Sequence, residues 1–285
     1  MSWPPGVNIA TRSTLTRERI LAAEGIERAD WREAYRATPP DVAAAFGMSV
    51  TTFEDVDILM MTGVDMLMFN RVTGLGVVTP ATEDLLDSAI VRFQKAQVSR
   101  FFLDVSPAAR PIFLTYWIAG RGLSIFNNWV KLTRAVDPVP SAHSAARLEE
   151  IGPERAEDFG RIIQIVFGLP EGMVAWAAAL VGQPGRRHFM AYQHGKPVAV
   201  AALYFEGEWA EFGYAAVLPE ARGHGIQAAL IAARIRAARE SGCRWISMET
   251  AEETLEKPSY SLRNAKRMGF EVAYLRPNYL GTTSD

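Results

Sequence analysis

Between residues 15 and 37 the apolar side chains Ile20, Leu21, Ile26, Trp31 and Tyr35 recur at the spacing of one helical face, and Pro39-Pro40-Asp41 opens a shorter helix. Strand-like apolar runs follow at 49–53, 58–62 and 66–72. Residues 81–97 have the period of an amphipathic helix, with Glu83 and Asp84 in the first turn, where a helix dipole favours carboxylates. A strand at 101–105, a helix at 108–119 and a strand at 126–132 complete this half.

Residues 135–146 lack periodicity and hold Pro138 and Pro140, so they read as a connector. After it a similar order returns: a strand at 147–151, helices near 153–167 and 171–180, and strands at 188–193, 198–205 and 211–217, the first two joined by the turn His194-Gly195-Lys196-Pro197. A long helix at 225–240, a strand at 245–250, a helix near 258–268 and a strand from Phe270 close the chain. Helix, Arg-led strand, helix, glycine and strand end both halves, which reads as an internal duplication. The expected organisation is α/β of the α+β type, with a first domain at 1–135, a connector at 136–145 and a second domain at 146–285.

Composition narrows the classes of function. With 285 residues, 22% charged, a net charge of −2 and no basic block, nucleic acid is not an expected partner. Cys243 is the sole cysteine, which excludes an internal disulfide and a cysteine-based zinc cluster. His188, His194 and His224 show no metal-like pairing, so no metal is expected. Residues 1–16 carry no apolar export signal and the most apolar helices are shorter than a bilayer needs. A cytoplasmic chain with no membrane partner is expected; its oligomeric state is left open.

The strand ending at Val217 runs through Leu218-Pro219-Glu220-Ala221-Arg222-Gly223-His224-Gly225 directly into the long Ala/Leu/Ile helix. Such a turn presents unpaired N–H groups at the positive end of a helix dipole, a site for a diphosphate. Gly223-x-Gly225-x-x-Ala228, with Glu249 downstream, also fits a dinucleotide fingerprint. A nicotinamide site, however, places its first glycine at the strand end, whereas Leu218 to Arg222 intervene here, and an antiparallel meander precedes the turn.

Val217-x-Pro219-Glu220-x-Arg222-Gly223-x-Gly225-Ile226 resembles the acetyl-CoA loop of the GNAT superfamily of N-acetyltransferases, and Ser261-x-x-Asn264 with Gly269-Phe270 looks like that family's last helix and its end. The resemblance spans about residues 146–280. It implies two GNAT-like domains, each a mixed, mostly antiparallel twisted sheet flanked by helices, with acetyl-CoA as co-substrate. The backbone amides of Gly223, His224, Gly225, Gln227 and Ala228 would hold the pyrophosphate, with Arg222 shaping the turn. Val217 and Ala215 would bond the pantetheine arm as an added strand, and Asn264 could reach the same arm. Gln227 replaces the family's usual Gly or Ala, and its longer side chain is accommodated if it points to solvent while its N–H faces the phosphate.

Acetylating an amine needs a base, because at neutral pH an alkylamine with a pKa near 10.4 is almost wholly protonated. Glu211, on the strand feeding the loop, has the spacing of the catalytic glutamate in the family's histone acetyltransferase branch. Strand alternation places Glu211, Gly213, Ala215 and Val217 on one face, with Tyr214 opposite unless a bulge intervenes. The family's usual acid tyrosine is replaced by Ala265, leaving Tyr260 as the candidate acid and Tyr274 as a weaker one. In the first half, residues 74–84 lack an arginine at the loop position and carry Glu83 and Asp84 at the helix start, so that half is expected to hold no cofactor and to wall the acceptor site. The expected activity is acetyl transfer from acetyl-CoA to a small-molecule primary amine by direct transfer. A non-catalytic CoA-binding regulator and a protein N-terminal or lysine acetyltransferase are the alternatives.

Overall fold

The computed structural model describes residues 15–283; the absence of an export signal in residues 1–14 therefore lies outside the described residues. The first half runs α1 (Arg17–Arg36), α2 (Pro40–Phe46), β1 (Met48–Phe53), β2 (Val56–Met61), β3 (Arg71–Thr73), α3 (Glu83–Lys95), β4 (Arg100–Asp104), α4 (Leu114–Gly120) and β5 (Ser124–Ala135). The second runs β6 (Arg147–Ile151), α5 (Ala156–Phe167), α6 (Met173–Ala178), β7 (Arg186–Gln193), β8 (Lys196–Glu206), β9 (Trp209–Val217), α7 (Ile226–Glu240), β10 (Trp245–Ala251), α8 (Tyr260–Arg267) and β11 (Glu271–Thr282). Leaving β6 aside, the two orders correspond element for element.

The strands form one 11-stranded sheet in the order β1-β2-β3-β4-β11-β5-β10-β9-β8-β7-β6. Among the described residues only β3–β4 and β9–β10 are parallel. Each half gives its last strand to the other: β11 lies between β4 and β5, and β5 pairs with β10. The two halves are thereby joined by continuous ladders rather than by the connector alone. The connector itself packs under the second half, with Val139 and Ala142 against its core.

Three local expectations change. Residues 66–72 are not one strand: a single 3-10 turn at Leu67–Phe69 precedes β3. Asn70 causes the break, since its side chain accepts from the Met61 N–H at 2.8 Å and donates to the Met61 carbonyl at 3.1 Å, replacing a ladder partner. The expected helix at 108–119 begins only at Leu114, because Pro111 lacks an N–H and disfavours helical geometry at Arg110. At the β7–β8 hairpin only His194 and Gly195 form the turn, both with positive φ, and Lys196 and Pro197 already belong to β8.

Helices cover both faces. On one, α7 and α8 bury Leu230, Ile235, Leu262 and Phe270 against Ala201, Leu203 and Phe212; each fully buried large side chain contributes about 1.5–3 kcal/mol. On the other, α1 crosses the sheet beside α5 and α6, packing Trp31, Ala34 and Tyr35 with Ile163, Trp176 and Met190. Cys243 packs in the α7 core, and burial pushes its thiol up to about 11.

Candidate active site

α7 begins without a side-chain cap and without an acidic residue in its first turn. The N–H groups at its start have no intrahelical partner, so they and the dipole face outward from the loop. Gly223 and Gly225 adopt φ values of 82° and 73°, conformations that glycine reaches without strain. A Cβ on Gly225 would lie 2.6 Å from the His143 carbonyl oxygen. The connector also holds the loop, as the Ser144 hydroxyl donates to the His224 carbonyl at 3.0 Å. Arg222 donates from Nε to the Val217 carbonyl at 3.3 Å and is exposed.

β9 and β10 pair only as far as Phe212 and Met248, although they continue to Val217 and Ala251. Beyond that point the strands splay, leaving an unpaired edge on β9 and a cleft of 740 Å³ lined by Ala215, Val217, Arg222, Gly223, Gly225, Gln227, Ala228, Tyr260 and Asn264. Gln227 does not point to solvent. It spans from α7 to α8, donating to Ser261 at 3.1 Å and accepting from the Asn264 amide. Asn264 is therefore engaged by Gln227 on the wall of the cleft. Tyr260 is 69% exposed at the start of α8, on the same wall.

A second cavity of 300 Å³ adjoins the cleft and shares Ala215, Gln227, Arg234, Thr250, Ala251 and Ser261 with it. Glu211 lines this inner pocket, and Tyr260 does not. The expected alternation on β9 fails at Tyr214, whose φ of 49° marks a bulge opposite Val200–Ala202. Phe212, Ala215 and Val217 consequently pack toward α7, whereas Tyr214 and Ala216 join Trp31 and Trp176 on the α1 side. Glu211 shares that α1 side, where its carboxylate meets Lys131, itself paired with Glu27, and is separated from the face of Ala215 and Val217.

Glu211 is 3% exposed, its Oε1 lies 3.5 Å from Lys131 Nζ, and its Oε2 has no hydrogen-bond partner among the described residues. Burial pushes its carboxyl up to about 8, with Lys131 opposing the rise and Glu27 and Glu249 adding to it. Glu249 lines the same pocket, but Arg276 at 2.5 Å and Arg71 at 3.7 Å hold it; burial raises it to about 7. Arg234, from α7, is a buried guanidinium bonded to the carbonyls of Leu230 and Ala202, and burial lowers it to about 9.

Lys131 belongs to a buried ionic cluster built across the exchanged strands. Glu27 of α1 contacts Arg71 at 2.6 Å, Lys131 at 2.7 Å and Arg276 at 2.5 Å; Arg276 also meets Glu24 at 3.1 Å, and Arg71 meets Asp104 at 2.7 Å. Burial works against ionising Glu27, yet Arg276, Lys131 and Arg71 hold its carboxyl well below the usual range. The cluster consumes Tyr274, whose hydroxyl donates to Glu24 at 2.8 Å and is remote from the cleft as an acid. His188 stacks edge-on against Phe159, and burial lowers it to about 3, leaving it a neutral core residue. Among the described residues no group of His, Cys, Asp and Glu is placed to hold a metal, and no helix is long and apolar enough to cross a membrane.

The uncapped loop, the strand pair that splays beside it and the Glu211 carboxylate line two adjoining cavities. Residues 154–270 match the family model described as Acetyltransferase (GNAT) family. These residues are a GNAT acetyltransferase domain. Solved structures similar over the whole chain include a GCN5-related N-acetyltransferase from Kribbella flavida, 17% identical with a TM-score of 0.64 and covering 96% of this chain and 98% of that one. A tandem GNAT protein from the clavulanic acid biosynthesis pathway is 14% identical, with a TM-score of 0.62 and coverage of 97% and 98%. A GCN5-related N-acetyltransferase from Sphaerobacter thermophilus is 13% identical, with a TM-score of 0.60 and coverage of 96% and 95%. No curated protein matches the sequence.

Outside the GNAT model, the first half builds the corresponding turn differently. Thr82 caps α3 by accepting from the Leu85 N–H, Glu83 and Asp84 occupy its first turn, and the Asp55 carboxylate accepts from the N–H groups of Val78 and Thr79 at 3.0 and 3.2 Å. The positions that face outward in the second half are here satisfied from within. The same half sends Asp30, Trp31, Met68 and Phe69 into the inner pocket of the GNAT domain. Trp31 was visible in the sequence as one of the apolar stripe; Asp30, Phe69, Trp176, Lys131 and Glu249 carried no local signal that joins them to Glu211.

Proposed function

We propose that the chain is an acyl-CoA-dependent N-acyltransferase that moves an acetyl group from acetyl-CoA to a primary amine of a small molecule by direct transfer. The observation that carries this reading is the unpartnered Oε2 of Glu211 in a pocket continuous with the uncapped α7 loop. The amides of Gly223, His224, Gly225, Gln227 and Ala228 fit a pyrophosphate, and the free β9 edge at Ala215 and Val217 fits a pantetheine arm. Acetyl-CoA, when bound, supplies an acetyl thioester as the acyl donor.

Glu211 takes the proton from the ammonium form of the acceptor, directly or through water; the neutral amine forms the new N–C bond as the C–S bond breaks, and the proton the nitrogen must still lose passes to water. A carboxyl raised to about 8 suits that task better than one at its ordinary value, because basicity rises with pKa. Glu249 is less suited, since Arg276 and Arg71 hold both its oxygens. The departing thiolate, an anion of ordinary pKa about 8.5, takes a proton from water or from Tyr260 on the cofactor side. The small inner pocket, enclosed by elements of both halves, favours a small acceptor over a protein side chain. Thiol release from acetyl-CoA, measured across a panel of primary amines, tests the reading. Release no faster than hydrolysis with every amine sinks it.

A further inference from the structure

Four rings in the inner pocket form a closed circuit. Trp31 meets Phe69 at 5.9 Å, Phe69 meets Trp176 at 5.0 Å, Trp176 meets Tyr214 at 5.9 Å and Tyr214 returns to Trp31 at 6.1 Å, measured between centroids. Trp31 and Phe69 come from the first half, Trp176 and Tyr214 from the second. Two polar atoms of this circuit are buried and bond to nothing among the described residues: Trp176 Nε1, on a side chain 1% exposed, and the Tyr214 hydroxyl. An indole N–H can only donate, and burial keeps the Tyr214 phenol protonated by raising it far above its ordinary value. Both are therefore donors awaiting an acceptor. The positive charges near the rings are already in place, with Arg71 5.2 Å from the Trp31 centroid and Arg186 5.7 Å from that of Tyr214. Both guanidinium groups are paired with carboxylates, Arg71 with Glu27 and Asp104 and Arg186 with Asp30, whereas Glu211 Oε2 has no partner among the described residues, so the amine is placed at Glu211.

Building on the proposed acyl transfer, we infer that the acceptor is a compact monoamine whose apolar body sits among these four rings and carries one hydrogen-bond-accepting oxygen. The amine faces Glu211, and the oxygen accepts from Trp176 Nε1 or the Tyr214 hydroxyl. At 300 Å³ the pocket lies at the small end of ligand sites, and Glu211, the carboxylate that meets the amine, matches one ammonium rather than the several of a polyamine. A buried donor left unpaired weakens binding by about tenfold or more, so the oxygen sets specificity.

Phenethylamine, tyramine and spermidine make the test, each titrated calorimetrically into the full chain without cofactor and then assayed for thiol release from acetyl-CoA. Tyramine is expected to bind and turn over at least tenfold better than phenethylamine, and spermidine at least tenfold worse than either. Tyr214→Phe and Trp176→Phe are expected to lower the ratio of tyramine to phenethylamine turnover at least threefold, whatever each does to the rate common to both amines. Tyr214→Phe removes a single oxygen and guards against a folding artefact. Spermidine matching tyramine, or an oxygen preference untouched by both substitutions, overturns the inference while leaving acyl transfer intact. Binding of tyramine in this order without thiol release from any amine supports the pocket assignment and sinks the acyltransferase reading.

Discussion

Replacing Lys131 with Met should move the acid limb of the kcat/KM profile to higher pH, and replacing Glu27 with Gln should move it to lower pH. The two side chains lie in the same ionic cluster, yet they act on Glu211 with opposite sign. A unit charge 3.5 Å away interacts with the carboxylate by about 5 kcal/mol at an effective dielectric of 20. Water entering the space left by Lys131 screens much of this, so a rise of at least one pKa unit, about 1.4 kcal/mol, is the conservative expectation. In the proposed mechanism Glu211 acts in its deprotonated form, so below about pH 8 the wild-type rate should fall about tenfold per unit. Lys131→Met then loses at least tenfold at pH 7 and recovers most of it by pH 10, whereas Glu27→Gln keeps its rate further into the acid range. The acceptor's own titration is common to all three proteins and cancels from the comparison. Each variant breaks a buried ion pair, a loss of about 3–5 kcal/mol in stability, and thermal unfolding should confirm that the fold persists under assay conditions. A reduced folded fraction scales a profile without moving its midpoint. Midpoints that stay together, or move in the same direction, would refute the electrostatic coupling of the first half to Glu211.

Glu211→Gln should lower kcat at least a hundredfold, the lower range for a general base, and abolish the limb near pH 8 while the calorimetric Kd for acetyl-CoA stays within about twofold. Gly225→Ala puts a Cβ 2.6 Å from the His143 carbonyl and a side chain at a φ of 73°, a strain of about 1–2 kcal/mol before the clash is counted; acetyl-CoA affinity should drop at least tenfold by calorimetry, and unchanged affinity would exclude this loop as the phosphate site. Arg71→Met leaves Glu27 and Asp104 short of a partner in a fully buried site; urea unfolding should show a loss of about 3–5 kcal/mol, and a loss under 1 kcal/mol would show that the cluster is not held together through Arg71.

The loop at 222–228 was legible because its signal is local: a glycine pair, an arginine and a helix start, in that order. α1 was legible as a helix, yet its function was not. A stripe reading takes Glu24, Glu27 and Asp30 as solvent-facing, and their burial depends on Arg71, Lys131, Arg186 and Arg276, which lie between 44 and 252 positions away in the chain. The exchange of β5 and β11 is a matter of which strands pair, and both would pattern identically had each remained in its own half. One bulge at Tyr214 reversed the alternation on β9 and separated Glu211 from Ala215 and Val217, because a period-2 pattern contains no mark for an inserted residue. Gln227, read as fitting if it faced solvent, found partners on α8, a helix whose distance from α7 is set by the splay of β9 and β10.

One chain is expected to carry one acetyl-CoA site, at the uncapped start of α7, and none at the capped start of α3. Isothermal titration of acetyl-CoA into the full chain measures this directly. One equivalent bound per chain, lost in Gly225→Ala and retained in Thr82→Ala, is the predicted result; two equivalents, none, or a site abolished by Thr82→Ala alone would contradict it.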